Sequence, residues 1–130
     1  MDDSISTSHL DFLLIGELAQ RTGCNPKTIR FYEREGLIVP VRHGRFRIYS
    51  CRNEQRLRAI LDMRRMGLAI AQIRTVLNKS NTIEEAMQSS HFADLLNKHL
   101  KDLAERQTVI ERQILETSSA LDKLKIKDVG

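Results

Sequence analysis

Residues 25–37 read Asn25-Pro26-Lys27-Thr28-Ile29-Arg30-Phe31-Tyr32-Glu33-Arg34-Glu35-Gly36-Leu37, a run that opens and closes as a helix does. Asn25 offers a side-chain oxygen to the unpaired N–H groups of a first turn. Pro26 suits the first helical position, where its missing N–H costs nothing. Gly36 supplies the left-handed residue that commonly ends a helix. Between them Ile29, Tyr32 and Glu33 recur at helical spacing, which leaves Lys27, Thr28, Arg30, Phe31 and Arg34 for the outside. A short helix presenting cations, a hydroxyl and an aromatic suits the edge of a nucleic acid. A second helical pattern over residues 15–22 leads into it through Gly23-Cys24, and two short helices joined at a glycine turn are the helix-turn-helix signature.

Working outward, residues 12–14 read as a short strand before the first helix. After the second, residues 37–39 and 45–49 read as two strands turned at Gly44, with Pro40 opening the loop. Alternation along the second strand puts Phe46 and Ile48 on one face, and Arg45, Arg47 and Tyr49 on the other. This is an arginine-rich hairpin, or wing. Ser50 caps a third predicted helix over 51–66, ended by Gly67, whose apolar face carries Leu57, Ile60, Leu61 and Met63. A fourth, over 70–77, places Ile70, Ile73, Val76 and Leu77 in a stripe.

The longest element follows. Leu96, Leu100, Leu103, Gln107, Ile110, Ile114, Thr117, Leu121 and Leu124 are spaced by alternating steps of four and three, the seam of a coiled coil. Lys98, Lys101, Asp102, Glu105, Arg106, Glu111, Arg112 and Glu116 lie outside it. So narrow a stripe needs another helix, and the chain has none of comparable length, so a second copy is the natural partner. The alternative is folding back on residues 50–78. The expected organisation is a flexible tail over 1–11, a DNA-binding region over 12–50, a linker helix pair over 51–80, and a dimerisation helix with a short tail over 81–130.

Charge supports this order. Residues 21–79 hold 14 Lys and Arg against 4 Asp and Glu, a local +10 inside a chain of net charge +4. Residues 1–20 carry 4 acids and no Lys or Arg. Positive charge gathered into one segment is the footprint of a nucleic-acid surface. No run of about 20 apolar residues is present to span a membrane. The acidic N-terminus does not read as a secretory signal. Cys24 and Cys51 match neither a disulfide framework nor zinc-ligand spacing. These features fit a reduced, cytoplasmic protein. Nothing suggests an enzyme: there is no paired-carboxylate setting, no nucleophile-base constellation and no phosphate-binding glycine loop.

Taken together, Ile15-Gly16-Glu17-Leu18-Ala19, Thr28-Ile29-Arg30-Phe31-Tyr32-Glu33, Gly36-Leu37, Arg47-Ile48-Tyr49 and Met66-Gly67-Leu68 resemble the MerR family of bacterial transcription regulators. The likeness covers about residues 13–124. It implies a mainly α fold: a winged helix-turn-helix with a small β-hairpin, two linker helices and a long coiled-coil helix pairing antiparallel in a homodimer. It also implies pseudo-palindromic promoter DNA whose spacer is bent and untwisted so that RNA polymerase can engage both of its elements. By position, Asn25, Lys27, Thr28 and Arg30 would face the major groove or its flanking phosphates, and Tyr32 a phosphate. In the wing, Arg47 and Tyr49 match the family's Arg-x-Tyr, with Arg42 and Arg45 adding charge. For Tyr32 and Tyr49 the rival reading is a packed ring with an incidental hydroxyl. Phe31, Ile29, Leu18 and Leu37 read as core. Leu96, Leu100, Leu103, Ile110, Ile114 and Leu121 would form the dimer interface. The chain departs from the family at the wing tip, where Arg45-Phe46-Arg47 replaces Gly-Tyr-Arg.

No cofactor is implied, and the effector is not legible. Residues 52–130 contain no cysteine, which argues against the thiolate metal or cluster sites of family sensors. His91 and His99 are too far apart along one helix to share an ion. Cys51, in a helix's first turn near Arg47 or Arg52, is a conceivable thiol switch, and Cys24 reads as a buried filler. The rival from another class is an architectural or excisionase-like DNA-bending protein acting in recombination, which the long dimer helix disfavours.

Overall fold

The computed structural model describes residues 12–129, so the tail expected over residues 1–11 lies outside it. In chain order the elements are β1 (Phe12–Leu13), α1 (Ile15–Thr22), α2 (Pro26–Arg34), β2 (Val41–His43), β3 (Phe46–Ser50), α3 (Cys51–Arg65), α4 (Ile70–Asn78), α5 (Ile83–Met87) and α6 (Ser90–Val129). The strands form one antiparallel sheet in the order β1-β3-β2. The expected winged helix-turn-helix followed by a long helix is the observed architecture.

Local chemistry fixes the helix ends. Asn25 Oδ1 accepts the Lys27 N–H at 2.8 Å, and Ser50 Oγ accepts the Asn53 N–H at 3.1 Å. Helices α2 and α3 close by the same device. After α2 the N–H groups of Gly36 and Leu37 donate to the carbonyls of Glu33 and Tyr32. After α3 those of Gly67 and Leu68 donate to Arg64 and Met63. Each glycine has positive φ, 75° and 93°, which a side chain would oppose. Each motif is followed by an apolar residue, Leu37 or Leu68, that is buried. The helix stop thus delivers a core residue. Leu18, Ile29, Leu57, Ile60, Met63, Ile73, Val76 and Leu77 complete that core.

The expected strand over 37–39 does not form; the strand that pairs with β3 is Val41–His43. Leu37 and Ile38 are both buried, a side-by-side burial unlike the alternation of a strand covered on one face. Side chains of α3 replace the ladder: Arg56 Nε donates to the Leu37 carbonyl and Asn53 Nδ2 to the Val39 carbonyl at 3.3 Å. Pro40 has no N–H to donate, so pairing begins after it.

Helix α5 was not expected. It is five residues long, too short to show a period, and is started by Thr82, whose hydroxyl oxygen accepts the Glu85 N–H at 3.1 Å. The chain divides into two compact units, one ending at Ser89 and the other beginning at Ser90. The stretch assigned to the dimerisation region from residue 81 therefore includes nine residues that belong with the N-terminal unit. The second unit is the single 40-residue helix α6, about 60 Å long at 1.5 Å per residue. Its seam residues Leu100, Leu103, Ile110, Ile114, Leu121 and Leu124 are all exposed, Leu100 by 67%; Leu96 is half-buried. Val109, Leu115 and Ile126 add exposed apolar surface off the seam.

Candidate nucleic-acid interface

Ile29 and Tyr32 are the buried side of α2, and this fixes what the helix shows to solvent. Lys27, Arg30, Phe31 and Arg34 are exposed, a ridge at positions i, i+3, i+4 and i+7. Thr28 is half-buried beside it. Phe31, which helical spacing leaves outside and which also reads as core, is 37% exposed. Its ring lies tilted against Tyr32 with centroids 5.6 Å apart and beneath the Arg34 guanidinium at 6.0 Å. Helical spacing groups Phe31 with the cations, not with Ile29. Two other expectations change as well. The carboxamide oxygen of Asn25 is committed to capping α2. Tyr32 is buried, where desolvation pushes its phenol up and the neighbouring Arg64 partly offsets this, so packing, the rival reading, describes its ring.

In the hairpin, Arg42 stands opposite Arg47 and His43 opposite Phe46. Arg47 and Tyr49 share the face turned toward α2, while Phe46 projects outward at 61% exposure. Two arginines directly opposed would repel. The compensation comes from α2: Glu33 Oε2 lies 3.7 Å from Arg47 Nε, and Glu33 Oε1 accepts the Tyr49 hydroxyl. Tyr49 is 0% exposed. Burial raises its pKa strongly, and the hydrogen bond to Glu33 raises it further, so it stays a neutral donor. Its hydroxyl is therefore taken by Glu33 and not free for a phosphate. Glu33 is the functional residue that sequence reasoning missed. It fastens the wing to the recognition helix, and its partners lie 14 and 16 residues away, beyond any local pattern.

The same fold gathers arginines. A groove of about 260 Å³ is lined by Arg30 of α2, Arg45, Phe46 and Arg47 of the wing, and Leu14 and Ile15 at the start of α1. Lys27, Thr28 and Arg42 lie outside that lining. Ion pairing separates the cations of the N-terminal unit into two sets. Arg21 and Arg58 both meet the buried Glu54, at 3.2 and 2.8 Å. Arg74 meets Glu35 at 2.8 Å and Arg65 meets Asp62. Among the described residues Lys27, Arg30, Arg42 and Arg45 pair with no acid within 4.0 Å, and neither do Arg34, Arg52, Arg56, Arg64 and Lys79. The first four, with the partly answered Arg47, are the cations expected to meet DNA.

The family profile described as MerR HTH family regulatory protein matches residues 13–80. The chain is 37% identical over 94 residues to an HTH-type transcriptional regulator ZntR homolog of Haemophilus influenzae, covering 71% of this chain and 68% of that one. It is 30% identical over 112 residues to the HTH-type transcriptional regulator CueR of Salmonella typhimurium, covering 85% and 75%. Among solved structures it is similar to the transcription regulator PbrR691 of Ralstonia metallidurans in complex with lead(II), with a TM-score of 0.64, 29% identity, and 80% and 84% covered. HiNmlR, a MerR family regulator lacking the sensor domain and bound to promoter DNA, shares the fold at a TM-score of 0.53 and 20% identity, with 79% and 78% covered.

Proposed function

Because the chain belongs to the MerR HTH family of regulatory proteins, we propose that it acts as a homodimer joined along α6, which sets two winged units on a pseudo-palindromic promoter site and distorts the DNA between them. It is a DNA-binding transcription regulator and not an enzyme. No helix among the described residues is long and apolar enough to cross a membrane, and a cytoplasmic location follows from work at a promoter. The observation that carries the reading is the convergence of Arg30, Arg45 and Arg47 on one groove between recognition helix and wing. In this assignment Lys27, Thr28 and Arg30 meet base edges and flanking phosphates, whereas Arg42, Arg45 and Arg47 hold the backbone. Phosphate contacts set affinity and salt dependence, and the groove-facing few set sequence.

The exposed seam of α6 supplies the two-fold. Pairing two copies there covers the leucines and fixes the distance between the two recognition helices. Bending and untwisting the spacer costs roughly 1–6 kcal/mol of DNA deformation, offset by contacts that only the distorted duplex permits. RNA polymerase then engages both promoter elements. The test is footprinting on the DNA upstream of the protein's own gene with polymerase present. Protection inside a promoter spacer with hypersensitive central steps is expected; a site outside any promoter refutes the spacer mechanism.

A further inference from the structure

A second concavity in the N-terminal unit lies apart from the groove between recognition helix and wing. Arg52, Asn53, Gln55 and Arg56 of α3 and the stretch 81–84 enclose about 380 Å³, a volume that suits a small metabolite. The lining is polar: two guanidiniums, the carboxamides of Gln55 and Asn81, and the Glu84 carboxylate. Neither arginine pairs with an acid among the described residues. Arg56 is half-buried and uses only Nε, on the Leu37 carbonyl. Its burial lowers its pKa by desolvation, a penalty that a neighbouring negative charge would relieve. The two arginines share their lack of an acidic partner with Lys27, Arg30, Arg42 and Arg45, and differ from them in lining a cavity that Glu84 also lines.

We propose that this cavity binds a small anionic regulator, with a carboxylate or phosphate group held by Arg52 and Arg56 and a hydroxyl or ammonium group beside it facing Glu84. The cavity is wired to the DNA-reading elements. Arg56 and Asn53, which line it, also hold the Leu37 and Val39 carbonyls, and residues 37–40 join the recognition helix to the wing. An anion that draws on Arg56 or Asn53 acts on the root of the wing, and DNA in turn acts on the anion by the same factor.

The experiment is a titration of the ¹⁵N-labelled full chain with sodium phosphate, sodium acetate or L-serine at ionic strength held constant with sodium chloride. Saturable amide shifts are expected at 52–56 and 81–84, extending to 37–39, with at least one probe. Arg52→Gln, at an exposed position that the fold does not use, should weaken that probe by about tenfold through loss of a charge-assisted bond. Arg30→Ala should leave it unchanged. Serine should bind more tightly than acetate, and Glu84→Gln should remove the advantage. The site is overturned if no probe saturates at those amides or if Arg52→Gln binds as the native chain does. It is equally overturned if saturating duplex DNA expels the probe completely, because the cavity is then a contact for the DNA backbone. A saturable response that leaves 37–39 unmoved overturns the regulatory half.

Discussion

In the N-terminal unit Leu18, Ile29, Leu37, Ile60, Met63 and Ile73 are sealed from water, whereas along α6 Leu100, Ile110, Ile114 and Leu121 stand exposed. Both regions follow apolar periodicity, yet only the first closes a core within one chain. The N-terminal unit manages it because its helices stop abruptly at Gly36 and Gly67, which return Leu37 and Leu68 to the interior. Helix α6 has no such stop in 40 residues, so its stripe runs on in a straight line. The first region is finished alone and leaves Lys27, Arg30, Arg42 and Arg45 without an acidic partner. The second leaves its stripe open, as the proposed homodimer requires.

The largest expected effect breaks that contrast at α6. Leu103→Asp combined with Ile110→Asp should give monomers at micromolar concentration in sedimentation. DNA affinity should fall by about 100-fold or more, because two linked half-sites become two independent encounters. The N-terminal unit should keep its unfolding transition, since none of its core residues is touched. Dimers that persist would show that the seam is misassigned.

A smaller effect is expected inside the finished region. Glu33→Ala leaves the Tyr49 hydroxyl buried without its acceptor, at a cost of about 1–3 kcal/mol, and frees Arg47 to repel Arg42. Chemical denaturation measures the loss, and an unchanged midpoint would mean that Glu33 does not fasten the wing. Tyr49 adds a pH signature. Its folded pKa is raised, so the neutral phenol stabilises the fold fully below the ordinary tyrosine value of about 10. That contribution is lost progressively as pH climbs above it. Tyr49→Phe should therefore flatten the fall in stability above about pH 10, while lowering stability at neutral pH by about 1 kcal/mol. A fall as steep as that of the native chain would detach Tyr49 from alkaline unfolding.

These variants also mark what the sequence could and could not disclose. Caps and stops are written in adjacent residues, so Asn25, Ser50, Gly36 and Gly67 delimit α2 and α3 within a residue of their observed ends. The 4-3 spacing names the exposed stripe of α6 directly. What escaped depends on distant partners. Residues 37–39 have strand composition, but Arg56 and Asn53 take the Leu37 and Val39 carbonyls from 19 and 14 positions away. Tyr49 reads as a DNA-binding residue by its match to Arg-x-Tyr, and a motif does not reveal that Glu33 accepts its hydroxyl. Phe31 falls outside by helical spacing and in the core by hydrophobicity, and the spacing prevails.

The finest comparison lies between two arginines of one groove. Arg30 has no acidic partner within 4.0 Å, whereas Arg47 already has Glu33 at 3.7 Å. A cation that neutralises a phosphate releases about 0.9 of a counterion, so Arg30→Ala should flatten the logarithmic salt slope of DNA binding by about one unit. Arg47→Ala should flatten it by less, because part of its charge is spent on Glu33 before DNA arrives. Raising that cost should also be possible in reverse. In Glu33→Gln the Tyr49 hydroxyl keeps an acceptor but Arg47 loses its counter-charge, so the slope should steepen relative to the native chain. Equal slopes for Arg30→Ala and Arg47→Ala, with no change in Glu33→Gln, would show that the pairing seen across the groove has no bearing on how the wing meets DNA.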